Sequence, residues 1–218
     1  MSYYQVVALS LSILIPAFIG LVRFKKVDRA FYPFLIFIWV SAVNEIFSSI
    51  IIQMGYYNIT SYNIYLLIES FLLLWIFKAW YFLKSQSKTY LFLFFILALA
   101  WILETIFRTK LSLKFNSYFL IIMAFIAVLV SVSLINYLLV KERGILTKNS
   151  IFLICCAFIF YFTLSGLTEI FYTYGLQISK SFRIAIAYTG IWAGFICNLI
   201  YALAIWWMPY RQAFTLQY

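Results

Sequence analysis

Residues 41–48 read Ser-Ala-Val-Asn-Glu-Ile-Phe-Ser and place several polar groups inside a long apolar run. A carboxylate within such a run is costly, so Glu45 has to be held by other groups or used for function. Residues 165–172 repeat the pattern as Ser-Gly-Leu-Thr-Glu-Ile-Phe-Tyr, with four of the eight positions identical and two more still polar. The two stretches predict a membrane bundle that holds acidic groups in its interior.

The composition of the 218-residue chain indicates an all-α protein that crosses a membrane several times. Hydrophobic residues make up 67% of the chain, charged residues only 10%, and the mean hydropathy is +1.03. A soluble domain of this size carries far more polar surface. Apolar runs long enough to cross a hydrocarbon core of roughly 30 Å recur along the whole length. We therefore expect a multi-pass protein of the cell (inner) membrane, with lipid as its main partner and a second copy or other membrane proteins as further partners.

Seven spans are predicted, joined by loops that are too short to hold a soluble domain. The whole chain, residues 1–218, is therefore expected to form a single transmembrane bundle. The predicted spans cover residues 4–22, 31–54, 62–83, 89–107, 116–140, 150–174 and 184–208.

Several classes of chemistry are excluded by the residues that the chain lacks. It contains no histidine, which removes Ser-His and Cys-His catalysis and every His-ligated metal site. The interior of the seventh span has no lysine to form a Schiff base with retinal. No cofactor is expected. The net charge of +10 comes from basic residues between the apolar runs, which is typical of topology determinants and lipid headgroup contacts rather than of nucleic-acid binding.

The distribution of Lys and Arg predicts that the N-terminus lies outside the cell and the C-terminus in the cytoplasm. In that orientation eleven basic residues lie on the cytoplasmic side and five on the outer side. The positive-inside rule favours this arrangement. The eleven are Arg23, Lys25, Lys26, Arg29, Lys78, Lys84, Lys88, Lys141, Arg143, Lys148 and Arg211.

The matching Glu-Ile-Phe stretches also suggest an internal repeat, in which residues 1–84 correspond to residues 116–212 and the helix at 89–107 links them. Each half has an apolar span, a basic loop, a span with Glu-Ile-Phe, a turn with glycine and an aromatic-rich span. The match is incomplete, because Glu45 precedes Gly55 by ten residues and Glu169 precedes Gly175 by six. Parallel repeats of this kind are a known transporter plan.

This three-plus-one-plus-three layout is similar to that of SWEET-type sugar carriers. The basic loop, the proline at the start of the second span and the glutamates of spans two and three are similar to the heptahelical sensor modules of some histidine kinases. The stretch at residues 62–69, Tyr-Asn-Ile-Tyr-Leu-Leu-Ile-Glu, resembles small uncharacterised seven-helix membrane proteins of Bacteroidota. The resemblance implies a shared layout and assigns no functional residue.

The candidate site consists of polar side chains that share helix faces in the outer half of the bilayer. Residues spaced by three or four positions lie on one face of a helix, and such polar faces pack against other helices or line a water-filled cavity. The candidates for binding a ligand or a proton are Ser41, Asn44 and Glu45 on the second span, Tyr65 and Glu69 on the third, and Ser165, Thr168, Glu169 and Tyr172 on the sixth.

Two interpretations of these carboxylates remain open from sequence. Glu45 and Glu169 either form hydrogen bonds that hold helices together, or they form a joint site for a ligand or a proton. Two nearby buried carboxylates disfavour each other's charged form, so such a pair suits a proton, a cation or a hydroxyl-bearing solute. Glu104 and Arg108, spaced i and i+4, are expected to form a structural ion pair.

These features lead to three hypotheses about function. The first is a small transporter or permease with a carboxylate-lined cavity for a proton, a cation or a small polar solute. The second is a ligand-sensing or accessory subunit that acts through a partner in the membrane. The third is a hydrolase that uses two carboxylates and water, for which no electrophile site can be recognised.

Overall fold

The computed structural model describes residues 3–80, 87–109, 111, 114–141, 148–174 and 179–210. Within these ranges it contains seven helical segments that are long and apolar enough to cross a membrane, which confirms the predicted all-α architecture. Parts of the predicted orientation and repeat rest on residues 81–86, 142–147, 175–178 and 211–218, which lie outside the described ranges.

The first span consists of two helices and each later span of one. A short 3₁₀ turn, Leu11–Ile13, separates the two helices of the first span, and a second, Arg29–Phe31, precedes the next span. A π-helical turn, Thr105–Thr109, follows the fourth span. The helices are α1 (Tyr3–Ser10), α2 (Leu14–Arg23), α3 (Tyr32–Gln53), α4 (Ile59–Ala79), α5 (Ser87–Glu104), α6 (Ser117–Lys141), α7 (Ser150–Tyr174) and α8 (Lys180–Trp207).

An aromatic cluster marks the point where four helices meet. Phe34 of α3, Phe77 of α4 and Phe158 of α7 are buried almost completely. The ring of Phe158 lies 6.2 Å from that of Phe34 and 6.0 Å from that of Phe77, measured between centroids. Tyr201 of α8 packs edge-on against Phe34. Aromatic pairs at these separations add to the energy of burial, so the cluster fixes how α3, α4, α7 and α8 lie relative to one another.

At one end of the bundle the buried Arg23 of α2 binds the last carbonyl groups of α8. Its guanidinium donates to the carbonyl oxygen of Ile205 at 2.7 Å, to that of Trp206, and to that of Met208 at 3.2 Å. The group also lies over the rings of Trp206 and Tyr210. The last carbonyls of a helix have no partner within the helix, so Arg23 caps α8 and joins it to the first span. We call this the Arg23 end.

At the opposite end the fully buried Asn63 of α4 holds the segment that leads into α6. Its amide nitrogen donates to the carbonyl oxygens of Leu111 and Lys114, both at 2.9 Å, and its amide oxygen accepts from the backbone N–H of Asn116 at 3.0 Å. The backbone carbonyl of Asn63 accepts from the indole N–H of Trp101 at 2.9 Å. The side chain and the backbone carbonyl of this one residue therefore fasten α4, α5 and the start of α6 together. We call this the Asn63 end.

Replacing Arg23 with Met is expected to lower the free energy of unfolding by about 2–4 kcal/mol, because hydrogen bonds to charged groups contribute strongly and the carbonyls of α8 lose their partner. Thermal unfolding of the purified protein in detergent, followed by tryptophan fluorescence, measures the change. Lys25→Met is the matched control, because Lys25 is exposed at the same end, and we expect a change within about 0.5 kcal/mol there. Equal stability of the two variants would contradict the capping role.

Candidate functional site

A cavity of about 310 Å³ lies among α1, α3, α4, α7 and α8 and holds two of the predicted carboxylates, Glu45 and Glu69. We call it the carboxylate cavity. None of the described residues that line it is a lysine or an arginine. Its other polar lining residues are Ser10, Ser41, Tyr62, Tyr65, Tyr161, Asn198 and Tyr201. Small-molecule sites combine apolar walls with a few polar groups of this kind and begin at roughly this volume.

A chain of hydrogen bonds crosses from α3 to α4 inside this cavity. The hydroxyl of Tyr65 donates to Oε1 of Glu69 at 3.3 Å, and it lies 2.9 Å from Oγ of Ser41. Tyr65 and Glu69 are one helical turn apart and therefore share a face of α4. The single hydroxyl proton of Ser41 is donated either to Tyr65 or to the carbonyl oxygen of Phe37, which lies 2.8 Å away and one turn earlier in α3. The sequence grouped Ser41, Tyr65 and Glu69 as candidates, and the structure brings them together.

Glu45 lies one helical turn beyond Ser41 and reaches the same cavity without a partner. It is half-buried, and within the described ranges no hydrogen bond or ion pair engages its carboxylate. It lies within electrostatic range of Glu69, which is only 5% exposed. Two carboxylates in one low-dielectric space repel each other when both are charged. This arrangement favours a proton or a cation between them.

The wall opposite these carboxylates is formed by α8 and α7. Gly190 and Gly194 line the cavity, and a Cβ atom built on either glycine would meet no atom within 4 Å, so the glycines leave that wall open. Asn198 donates to Oγ of Ser12 at 2.8 Å and ties α8 to the first span. Tyr161 of α7 also lines the cavity. Ser165 lies one turn further along α7 and is not among the residues that line the cavity.

Glu169 lies in a different place from the one that the repeat suggested. It lines a second cavity of about 240 Å³ at the Asn63 end, which we call the Glu169 cavity, with Asn58, Asn116 and Ser117 among its lining residues. Tyr62 lines both cavities. The structure therefore places Glu45 with Glu69, and it separates Glu169 from them by the Tyr62 side chain.

The remaining three candidates line neither cavity. Asn44 and Thr168 are half-buried on α3 and α7. Tyr172 is exposed, and its hydroxyl donates to the carbonyl oxygen of Arg183 at 3.2 Å, which links α7 to α8 near the Asn63 end. These side chains belong to the same helix faces as the glutamates, but their positions are those of packing residues.

Glu104 is engaged by three groups at the Asn63 end. Its Oε1 lies 3.1 Å from the guanidinium of Arg108, so the structure contains the ion pair that the sequence suggested. The same carboxylate accepts the backbone N–H groups of Tyr118 at 3.1 Å and Phe119 at 2.6 Å. A carboxylate at a helix N-terminus satisfies N–H groups that lack partners in the helix and interacts favourably with the helix dipole. Glu104 therefore caps α6.

Comparisons with known proteins do not identify this site, so its interpretation rests on the geometry described above. Comparison with protein-family models, with curated proteins and with solved structures gives no match. Among the described residues no three His, Cys, Asp or Glu side chains are grouped so that they could hold a metal ion.

Glutamine substitutions are expected to separate the capping carboxylate from the cavity carboxylate. Glu104→Gln removes a charged acceptor from two N–H groups and from Arg108, so the free energy of unfolding should fall by about 2 kcal/mol. Glu45→Gln removes a charge that has no protein partner, so the stability should stay within about 0.5 kcal/mol of wild type. Thermal unfolding of the two variants in detergent provides the measurement, and a larger loss for Glu45→Gln would reverse the assignment.

Proposed function

We propose that this chain is a small integral membrane transporter or permease whose carboxylate cavity takes a proton, a cation or a small polar solute. One observation carries the proposal. Glu45 and Glu69 line a cavity among five helices, and none of the described residues that line it is basic. Ionisable residues inside a membrane are rare and usually mark a pathway or a binding site.

The depth of the two carboxylates supports a role in passage through the bundle. Glu45 lies eight residues before Gln53, where α3 ends, and Glu69 lies ten residues after Ile59, where α4 begins. At 1.5 Å per residue these separations correspond to about 12 Å and 15 Å from the Asn63 end. Both carboxylates therefore lie near the middle of a hydrocarbon core of roughly 30 Å, which is where transporters bind their substrates.

The Glu169 cavity supplies an approach to this site from the Asn63 end. Tyr62 forms the boundary between the two cavities, and its ring packs edge-on against Phe115 at 5.4 Å and tilted against Tyr65 at 6.4 Å. A rotation of the Tyr62 side chain would join the cavities. In this proposal Glu169 attracts the cation or proton, and Glu45 with Glu69 binds it.

The proposed function includes the orientation in the membrane that the basic residues predict. The excess of basic residues at the Arg23 end supports a cytoplasmic position for that end, with the N-terminus and the Asn63 end outside. The Glu169 cavity would then face the exterior. The internal repeat is also retained as a hypothesis, supported by the matching stretches around Glu45 and Glu169, although the two glutamates line different cavities.

A specific observation also favours the accessory-subunit hypothesis. The spans Lys88–Arg108 and Ser181–Trp207 have only 11% and 17% of their most apolar windows buried inside the protein. The start of α8, residues 181–185, is exposed throughout. Such helices can face lipid or a partner subunit, and co-purification of a stable membrane partner would favour this second function.

Transport is tested with purified protein in liposomes that contain a pH-sensitive dye or are loaded with sodium or a small ammonium ion. We expect wild type to pass at least one of these species. Glu45→Gln and Glu69→Gln should each lower the flux by about tenfold, the equivalent of about 1.4 kcal/mol in the barrier. The double variant should be scarcely worse than either single one, as expected for groups that act as a unit.

Glu169→Gln serves as the comparison variant in the same assay. Non-additive losses for Glu45 with Glu69 would support the pairing that the structure displays, whereas non-additive losses for Glu45 with Glu169 would support the pairing that the repeat suggests. Wild-type flux in all of the folded variants would contradict a role for the carboxylates in transport.

The orientation is tested with a reporter fused after Tyr218 that is active only in the cytoplasm. We expect activity there, because the basic residues concentrate at the Arg23 end. An otherwise identical fusion to a reporter that is active only outside the cytoplasm is the control. Activity of that second fusion would invert the proposed direction of access.

A further inference from the structure

A large cleft opens at the Arg23 end, and it shares no lining residue with the carboxylate cavity. Its volume is about 1200 Å³, and it lies between the starts of α3, α5 and α7 and the ends of α4 and α8. Among the described residues, three basic side chains line it, Arg29, Lys78 and Lys148, and one acidic side chain, Asp28. We call it the basic cleft. The proposed transport function does not involve this cleft.

Within the described ranges, no ion pair neutralises the basic residues of the cleft. Arg29, Lys78 and Lys148 are exposed, and none of them forms an ion pair with a described residue. The carboxylate of Asp28 accepts the backbone N–H of Ala30 at 2.8 Å and so serves as the cap of the turn before α3. Nζ of Lys78 lies 4.4 Å from the centroid of the Tyr90 ring, a cation–π contact that holds this charge at the cleft wall.

Two buried hydrogen-bond donors in the cleft wall point to the same kind of ligand. Trp80 and Ser150 both line the cleft and are each only 4% exposed. The indole N–H of Trp80 and the hydroxyl of Ser150 have no hydrogen-bond partner among the described residues. Buried polar groups are nearly always paired, so an unpaired one calls for an explanation such as a bound ion. Ser150 is also the first residue of α7, where the helix dipole favours negative charge.

We propose that the basic cleft binds a phosphate-type anion. Three cations provide the charge that phosphate oxygens require, two unpaired donors lie buried in the same wall, and the aromatic residues at the cleft indicate where the anion comes from. Trp75 and Trp207 line the cleft with partly exposed rings, and tryptophans concentrate at the headgroup level of membranes. The phosphate of an anionic phospholipid headgroup is therefore one source, and free inorganic phosphate is the other.

The test uses the purified full chain in micelles of a neutral detergent at constant ionic strength. The midpoint of thermal unfolding is measured with added phosphatidylglycerol, with phosphatidylcholine and with inorganic phosphate. Affinity for the lipid is measured separately from the quenching of tryptophan fluorescence by brominated phosphatidylglycerol. We expect phosphatidylglycerol to raise the midpoint and phosphatidylcholine to have little effect. A rise with phosphatidylglycerol alone identifies the lipid as the source, and a comparable rise with inorganic phosphate identifies a free anion.

Variants with equal changes of charge show whether the cleft itself is responsible. Lys78→Gln combined with Lys148→Gln should weaken binding about thirtyfold, at roughly fivefold or 1 kcal/mol for each cation removed. Lys25→Gln combined with Lys26→Gln removes the same charge from exposed positions at the same end that do not line the cleft, and it should leave the affinity nearly unchanged. Equal losses in the two double variants, or no stabilisation of wild type by either anion, would overturn the proposal.

Discussion

The structure depends on how a bundle in lipid satisfies the backbone groups at the ends of its helices. Hydrocarbon offers no hydrogen bonds, so each N–H and C=O group near a helix end needs a partner from the protein or from the interface. Arg23 supplies donors for the carbonyls at the end of α8, Glu104 supplies acceptors for the N–H groups at the start of α6, and Asn63 supplies both for the segment between α5 and α6. These polar side chains therefore serve mainly as hydrogen-bond partners for backbone groups at the helix ends.

The acidic residues differ in whether their carboxylates take part in this capping. Asp28 and Glu104 both accept backbone N–H groups at helix starts. Glu69 accepts only from Tyr65, and the carboxylates of Glu45 and Glu169 have no hydrogen-bond partner among the described residues. A capping role accounts for the presence of a carboxylate in this apolar chain. A carboxylate that faces a cavity without a partner has no such structural role. The hydrogen-bond partners therefore separate the acids that cap helices from the acids that face a cavity.

The positions of the spans could be predicted from the sequence because hydropathy depends on composition alone. The third and seventh spans start earlier than predicted, at Ile59 and Lys180, because Thr60, Ser61 and Arg183 lower the local hydropathy while the backbone is already helical. The rotation of each helix about its axis was harder to predict. It depends on contacts such as that of Gly166, where a Cβ atom would lie 3.3 Å from Cβ of Ala124 in α6.

This rotation decides which parts of the candidate site could be foreseen. Ser41, Tyr65 and Glu69, three of the nine candidates, lie together because their helices are neighbours in sequence and their spacing places them on facing sides. Tyr161 was missed, although it precedes Ser165 by one turn and shares its face. The separation of Glu169 from Glu45 follows from the bulk of Tyr62 between the cavities, which no repeat in the sequence reveals.

The contact between Arg23 and α8 also constrains how the protein is made. Arg23 and Ile205 are 182 positions apart in the chain. At roughly 5–20 residues per second, synthesis of the intervening segments takes about 10–40 s. During this time α2 has inserted but its partner does not yet exist, so the guanidinium has to remain in the interface, where a long side chain can extend toward water. The first span described here thus completes its contact with α8 only after the chain between them has been made.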